Sequence, residues 1–403
     1  MIIDIDEFIS MYVTKRPQSM FLEDIKGHID ELRNQIEGKS TLVIGGAGSI
    51  GSSFIKAILQ FRPAELIVVD TNENALAELT RDLRSTGGMY VPEIYITYPM
   101  NFSSPVFEKM FRKHGRFDIV ANFSAHKHVR SEKDIYSIEA LLQNNVLHAK
   151  KFLDLLSEFP PEEYFCVSTD KAANPVNIMG ASKRIMEDVI FTYSDRFPVK
   201  TARFANVAFS NGSLPAGFLS RMAKLQPLSA PSDVKRYFVS PVESGQICML
   251  ACMLGENREI FFPKLEEAQM MTFDAIATEL LHQCGYDVIE CNSDEEAIEL
   301  AKELKTGSKF YPVHYSGSDT SGEKQYEEFV TNSETADMER FESLGVITGK
   351  AIPDKAKVDA LFEKLDEALS KSETTKEEIV TIMKDYLPTF EHIETGKSLD
   401  SKM

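Results

Sequence analysis

The stretch Thr41-Leu-Val-Ile-Gly-Gly-Ala-Gly-Ser-Ile-Gly51 limits what this chain can fold into more than any other. Thr41 to Ile44 reads as a buried strand, a glycine turn follows, and Ile50, Phe54, Ile58 and Phe61 mark an amphipathic helix. Gly45, Gly48 and Gly51 stand at GxxGxxG spacing. The first allows a tight turn, the second lets backbone approach a pyrophosphate, and the third lets helix and strand pack closely. The free N–H groups and positive dipole end of the helix then face the phosphates. A glycine triplet alone is equally a turn with no ligand. This one follows a strand, opens a helix and precedes a second strand, Glu65-Leu-Ile-Val-Val-Asp70. Asp70 lies 25 residues after Gly45, near the offset of about 20 residues of a ribose-binding carboxylate. The combination reads as a dinucleotide site.

From Thr41 to Val207 strands and helices alternate. Further strands are expected at Glu93–Tyr98, Phe117–Phe123, Glu163–Ser168 and Val199–Val207, with helices at Asn74–Leu83, Pro105–His114, Ile135–Glu158 and Met179–Ser194. Strands that are apolar throughout, separated by helices, specify a Rossmann-type doubly wound parallel sheet (α/β). Upstream, Phe21, Ile25, Ile29, Leu32 and Ile36 predict one amphipathic helix stopped by Gly38, a structural arm. Beyond Val207 the alternation weakens. Helices are expected at Ala216–Leu225, Pro241–Leu254 and Thr272–Cys284, with a last strand at Glu259–Phe262. A polar loop (Val313–Thr331), two charged helices (Lys355–Lys371, Lys376–Tyr386) and a frayed polar end complete the chain. The expected organisation is an N-terminal helical arm (1–40) and a dinucleotide-binding domain (41–262, with 208–240 contributing to the substrate site). A smaller α+β substrate-binding lid (263–350) and C-terminal helices (351–403) follow.

Charge narrows the partners. With 44 Lys and Arg against 62 Asp and Glu, the net charge of −18 argues against nucleic acid or an anionic membrane as the main partner. An anionic substrate needs a local basic pocket. The five scattered cysteines lack metal-ligand spacing, and no apolar run reaches the ~20 residues of a membrane span. A cytoplasmic protein with reduced thiols is expected. His126 and His128 share a strand face, but without a third ligand at suggestive spacing no metal site is expected.

At the end of the fifth strand stands Ser168-Thr169-Asp170-Lys171, and Lys183 follows fifteen residues after Ser168. By composition alone, Asp170 and Lys171 are as readily a solvated turn and Lys183 a surface charge. These segments nevertheless resemble the extended short-chain dehydrogenases/reductases, and within them the UDP-N-acetylglucosamine 4,6-dehydratases of bacterial polysaccharide synthesis (capsule-synthesis type). The resemblance is carried by Gly45–Gly51, Ala125-His-Lys-His-Val129, Asn145-Val146 and Ser168-Thr-Asp-Lys-Ala-Ala-Asn-Pro175. It continues through Met179-Gly-Ala-Ser-Lys-Arg184, Arg203-Phe-Ala-Asn-Val207, Arg236-Tyr-Phe238 and Gly322-Glu-Lys-Gln-Tyr-Glu-Glu328. The usual Tyr-x-x-x-Lys dyad reads Met179-x-x-x-Lys183, and a thioether cannot serve as acid or base. The resemblance is to a branch that carries methionine there. Other departures are Met100-Asn101 at the adenine, Ala205 and His148 for glycines, and Arg130 for a proline.

The resemblance implies bound NAD held by Gly45, Gly48, Ser49, Ile50, Gly51, Asp70, Asn74, Asn101, Ser124, Ala125, Asn145, Ser168 and Lys183. It implies a UDP-amino-sugar met by Lys127, His128, Asn206, Arg236 and Glu323, and a homo-oligomer. Lys171, Lys183, Arg203 and Arg236 would supply the positive charge a nucleotide diphosphate needs. By the same analogy Asp170 is the acid for the departing 6-hydroxyl and Lys171 the base at C5. Thr169, with Lys183 or a water, handles the 4-hydroxyl in place of tyrosine, and Met179 fills the tyrosine's place. NAD is favoured over NADP because Asp70 would repel a 2′-phosphate, with Arg81 and Arg84 the nearest cations downstream. The rival readings are a nucleotide-sugar 4-epimerase and a non-catalytic NAD-binding protein.

Overall fold

The computed structural model describes residues 3–317 and 328–394. Its centre is a nine-stranded sheet. Seven strands are parallel: β1 (Ser40–Ile44), β2 (Glu65–Asp70), β3 (Ile94–Pro99), β4 (Ile119–Asn122), β5 (Glu163–Val167), β6 (Val199–Ala202) and β7 (Ile260–Pro263). They lie in the order β3-β2-β1-β4-β5-β6-β7. Two further strands, β8 (Thr335–Asp337) and β9 (Leu344–Thr348), extend it, β9 running antiparallel to β7 and β8 antiparallel to β9. The strand order reverses between β1 and β4, and ligands of such sheets bind where it does, at the carboxyl ends of the strands.

The central strands are continuous apolar runs because helices cover both faces. Every residue of β4 and β6 is buried, as is β1 from Thr41 onward. Edge strand β3 instead alternates, leaving Ile94 and Ile96 exposed. Helix starts follow ordinary capping chemistry. Ser104 caps Pro105–His114, Asn177 caps Ile178–Phe191, and Ser240 forms a reciprocal capping box with Glu243 at Pro241–Leu254. A second core surrounds Phe218, Leu228, Ile276, Leu280 and Tyr311, beneath a three-stranded parallel sheet of Leu228–Pro231, Phe310–Ser316 and Asp287–Cys291. Phe8, Ile9 and Val13 of the N-terminal arm pack into this core.

Several expectations need correction. The strand expected at Val199–Val207 ends at Ala202, and Asn206–Val207 leaves the sheet to pair in parallel with Phe238–Val239. The single helix expected at Phe21–Ile36 is two, Leu22–Gly27 and Ile29–Ile36. It breaks where the His28 ring bonds the Asp24 carbonyl and the Asp24 carboxylate is taken by the Glu342 and Ser343 amides. The helix Ile135–Glu158 is interrupted by a π-turn, Gln143–Leu147. The supposed loop from Val313 begins inside a strand, because Phe310–Ser316 is paired on both sides. Residues 335–348, assigned by sequence to the lid, belong to the main sheet. Residues 396–403, expected to fray, lie outside the described residues.

Candidate active site

A cleft of about 430 Å³ opens at the carboxyl ends of β1, β4 and β5. Gly45, Gly48, Ser49, Ile50, Gly51, Ala125, Lys127, His128, Ser168, Thr169, Asp170, Lys171, Met179, Lys183 and Asn206 all line it. Residues expected from five separated motifs therefore share one wall system.

The glycine turn is built as the spacing requires. Gly45 has φ +71°, and a Cβ there would lie 2.6 Å from the Ser124 amide nitrogen at the end of β4. A Cβ on Gly51 would lie 2.4 Å from the Gly45 carbonyl oxygen, so helix and turn touch through backbone. Gly48 is the N-cap of Ser49–Leu59 and provides no side-chain cap, which leaves the helix's first amides directed at the cleft. Asp70 closes the turn from behind: its Oδ2 accepts from the Ala47 amide (3.1 Å) and its Oδ1 from the Asn72 amide (2.9 Å). On the far side Ser49 Oγ accepts from the Asn211 amide at 2.8 Å, tying the turn to the 210–213 loop.

The chemistry-bearing groups crowd the end of β5. Asp170, buried, accepts at Oδ1 from Thr169 Oγ1 (2.7 Å), the Lys171 amide (2.9 Å) and Lys171 Nζ (3.3 Å). Its Oδ2 is buried and has no hydrogen-bond partner among the described residues. Lys183 Nζ donates to the Val167 carbonyl at 2.9 Å, which aims the ammonium across the strand end. Burial pushes the Lys183 ammonium below the usual lysine value, with Cys166 and Glu187 opposing that shift. Met179, one turn earlier on the same helix, is buried on the cleft wall. No tyrosine is among the described residues that line the cleft.

Other expected residues stand outside it. Asn145, in the π-turn, accepts from the His126 amide (2.9 Å) and donates to the His126 carbonyl (2.9 Å) and Ser182 Oγ (3.1 Å). It thus clamps the segment that carries Lys127 and His128, and π-turns recur where a helix serves a functional site. Ser124 bonds Asn122 and Asn144 beside Gly45. Asn74 is exposed on the first turn of Glu73–Ser85, and Asn101 closes an exposed turn by accepting from Ser103. Arg236 is buried and donates to the Lys235 carbonyl at 2.9 Å. Glu323 lies outside the described residues. Among the described residues no three His, Cys, Asp or Glu side chains group as metal ligands, and no helix is long and apolar enough to cross a membrane.

A family model of polysaccharide biosynthesis proteins matches residues 41–348, which includes every described wall of the cleft. The chain belongs to the polysaccharide biosynthesis protein family. It is 28% identical over 327 residues to the probable polysaccharide biosynthesis protein EpsC of Bacillus subtilis, covering 80% of this chain and 50% of that protein. The chain therefore spans about half the length of that relative. A UDP-N-acetylglucosamine 4,6-dehydratase (inverting) of Campylobacter jejuni is 26% identical, covering 61% of this chain and 73% of its own. A UDP-glucose 4-epimerase of Rickettsia conorii is also 26% identical, over 74% of this chain and 79% of its own. Among solved structures, Pen from Bacillus thuringiensis superposes with a TM-score of 0.62 at 18% identity, covering 82% of this chain and 98% of that one. The extended short-chain dehydrogenase/reductase resemblance and the Rossmann-type fold both hold in this member of the polysaccharide biosynthesis family.

One sequence expectation fails for Arg203 of this family member. It is fully buried, not a cation of the cleft. It forms a two-bond ion pair with Glu187 (2.8 and 2.7 Å) and another with Glu334 (2.7 and 2.9 Å). Ser168 Oγ donates to Glu187 at 2.7 Å and Lys350 Nζ to Glu334 at 2.6 Å, so a buried chain of charge backs the end of β5. Burial raises the Glu187 carboxyl, but Arg203 outweighs it and holds it below the usual range. Sequence also misses the walls Ser210, Leu214 and Phe273, and it names Phe204 and Phe238 only inside quoted segments, without a place in the site. Their positions depend on pairings across the fold that leave no local pattern.

Proposed function

We propose that the protein is an NAD-dependent UDP-N-acetylglucosamine 4,6-dehydratase of surface polysaccharide or glycan synthesis. The observation that carries this reading is the convergence of Thr169, Asp170, Lys171 and Lys183 beside the glycine turn, on a cleft whose described walls include no tyrosine. The turn fits a dinucleotide: uncapped helix amides face the cleft, and a Cβ on Gly48 would meet only the Gly45 oxygen, at 3.4 Å. When bound, NAD supplies the hydride acceptor for C4 of the sugar and the hydride donor for C6.

The chain's own groups would then divide the proton work. Thr169 and Lys183 would orient the 4-hydroxyl, whose proton passes to water in the cleft as C4 gives up its hydride. Lys171, as free amine, would take the C5 proton once C4 is a ketone and give a proton back to C5 when C6 has been reduced, and Asp170 would pass a proton from Oδ2 to the 6-hydroxyl, which leaves as water. The two groups need opposite protonation states, and neighbouring acid and base sites achieve this through unlike environments. Met179 contributes an apolar wall and no proton. Lys127, on the wall and without a carboxylate partner among the described residues, stands nearer the substrate space than Arg236 and is the better cation for the diphosphate.

Mass spectrometry of UDP-N-acetylglucosamine incubated with the purified protein tests the reading. A product lighter by one water, formed without net NADH, is expected. A C4 epimer of unchanged mass would establish the epimerase instead, and no turnover of any nucleotide sugar a non-catalytic protein. Cofactor choice has its own test. Asp70→Ala should weaken NAD by about tenfold or more, the worth of hydrogen bonds to a charged group, and narrow the preference over NADP. Wild-type NAD affinity in that variant would remove Asp70 from the ribose site.

A further inference from the structure

The helix Ile178–Phe191 carries Met179 and Lys183, and its first turn is seated on a residue that no cleft motif includes. Glu132 ends the short turn Val129–Glu132, and its Oε1 accepts from the Met179 amide at 3.3 Å. The other oxygen, Oε2, lies 3.1 Å from Nε2 of His392, near the chain's end. A carboxylate only accepts, so Nε2 carries the proton. Both side chains are buried, His392 8% and Glu132 6% exposed. Lys376 Nζ adds a bond to the Glu132 carbonyl at 3.3 Å.

The C-terminal segment reaches this place as a strap. Phe390 is buried in the main core, and the Glu391 and Ile393 amides then donate to the Pro175 and Val176 carbonyls at 3.2 and 2.9 Å. Pro175 and Val176 immediately precede Asn177, whose side chain caps the helix through Gly180. Gly180 itself sits so close to the catalytic turn that an added Cβ would lie 2.6 Å from the Lys171 carbonyl oxygen. The start of this helix therefore fixes Lys171 through backbone contact and Lys183 one turn on.

We propose that Glu132 is a positioning residue for the active-site helix and that the C-terminal segment completes its seat through His392. This rests on the dehydratase reading for its kinetic test only. Losing the His392 bond frees Oε2 to turn toward water and loosens the hold on the Met179 amide. Displacement of ~1 Å at a catalytic group can cost about a hundredfold, so a partly loosened seat should cost about tenfold.

The test compares His392→Ala with His392→Gln in the full chain, since a glutamine amide can still donate to Glu132. His392→Ala should lower kcat about tenfold with KM within about twofold, while His392→Gln recovers most of the loss, because transition-state geometry and not ground-state binding is affected. Amide exchange from Met179 to Lys183 should quicken in His392→Ala and return toward wild type in His392→Gln, with other protected amides unchanged. Unchanged kcat and exchange in His392→Ala would overturn the proposal. So would faster exchange throughout the protein, which would make His392 a general stabiliser. If no variant turns over UDP-N-acetylglucosamine, the dehydratase reading fails and the exchange comparison still decides the role of the strap.

Discussion

Asp170→Asn is expected to lower formation of the dehydrated nucleotide sugar by ~100- to 10,000-fold, the span that general acid–base groups contribute. Asparagine keeps the shape and an acceptor for Thr169 and Lys171, which both meet Oδ1. What it cannot do is give up a proton from the buried Oδ2 position, so the 6-hydroxyl must leave unassisted. Protein-bound cofactor should be retained, because the glycine turn and Asp70 are untouched. If, as proposed, oxidation at C4 precedes the blocked step, the bound cofactor should absorb as NADH with substrate present. Loss of product without any reduced cofactor would move Asp170 to the first hydride transfer. Undiminished dehydration would take it out of the chemistry.

Arg203→Met should destabilise the protein by ~3–5 kcal/mol, the cost of leaving buried charges without their partner. Two carboxylates, Glu187 and Glu334, would then face one another across an apolar side chain, with Ser168 and Arg184 left to the first and Lys350 and the Thr331 amide to the second. Urea unfolding measures the loss. Adding Glu187→Leu to Arg203→Met should cost less than the sum of the two single changes, as coupled neighbours do. Acid gives the same network a second signature. Burial raises the Glu334 carboxyl, but the bonds from Arg203 and Lys350 overcome this and hold it at about 2, against an ordinary 4.5. A depressed folded-state value stabilises above the unfolded value and loses that contribution as pH falls toward 2. The wild type should therefore lose up to ~3 kcal/mol between about pH 4.5 and 2 from this group. Arg203→Met should show a flatter acid limb. An equal slope in the two proteins would mean that Glu334 owes its acidity to something else.

What could be read from the sequence follows the range of the forces involved. The glycine turn was legible because a positive φ at Gly45 and backbone contact at Gly51 admit almost no other residue, so geometry is written directly as composition. The parallel sheet was legible because strands buried on both faces must be apolar throughout. The titratable groups at the end of β5 were named through the family resemblance and not through spacing, and they line one cleft. Long-range pairing hid the rest. Nothing near Ala202 announces that Asn206–Val207 will pair with Phe238–Val239, and the segment Val199–Val207 reads as one strand. Arg203 looks like any cation in a basic motif until Glu334 arrives from across the fold. Glu132 and His392 lie 260 residues apart and carry no shared pattern. The periodic helix at Phe21–Ile36 broke for the same reason, its Asp24 being held by amides over 300 residues away, a separation of 318 for Glu342.

Strand β9 also sets an order of events during synthesis. β7 is apolar along its length, and its outer edge stays unpaired until Leu344 to Thr348 has been made. Arg203 waits likewise for Glu334, 131 residues downstream. At roughly 5–20 residues per second a ribosome needs about 7 to 26 s to cover that distance. From the completion of β7 until β9 arrives, the nascent sheet offers an open hydrophobic edge of the kind that templates aggregation. Closure of the edge and the second carboxylate on the buried guanidinium, beside Glu187, come from one stretch of chain, residues 334–348. A polypeptide interrupted before it keeps both liabilities at once, however well its glycine turn has formed.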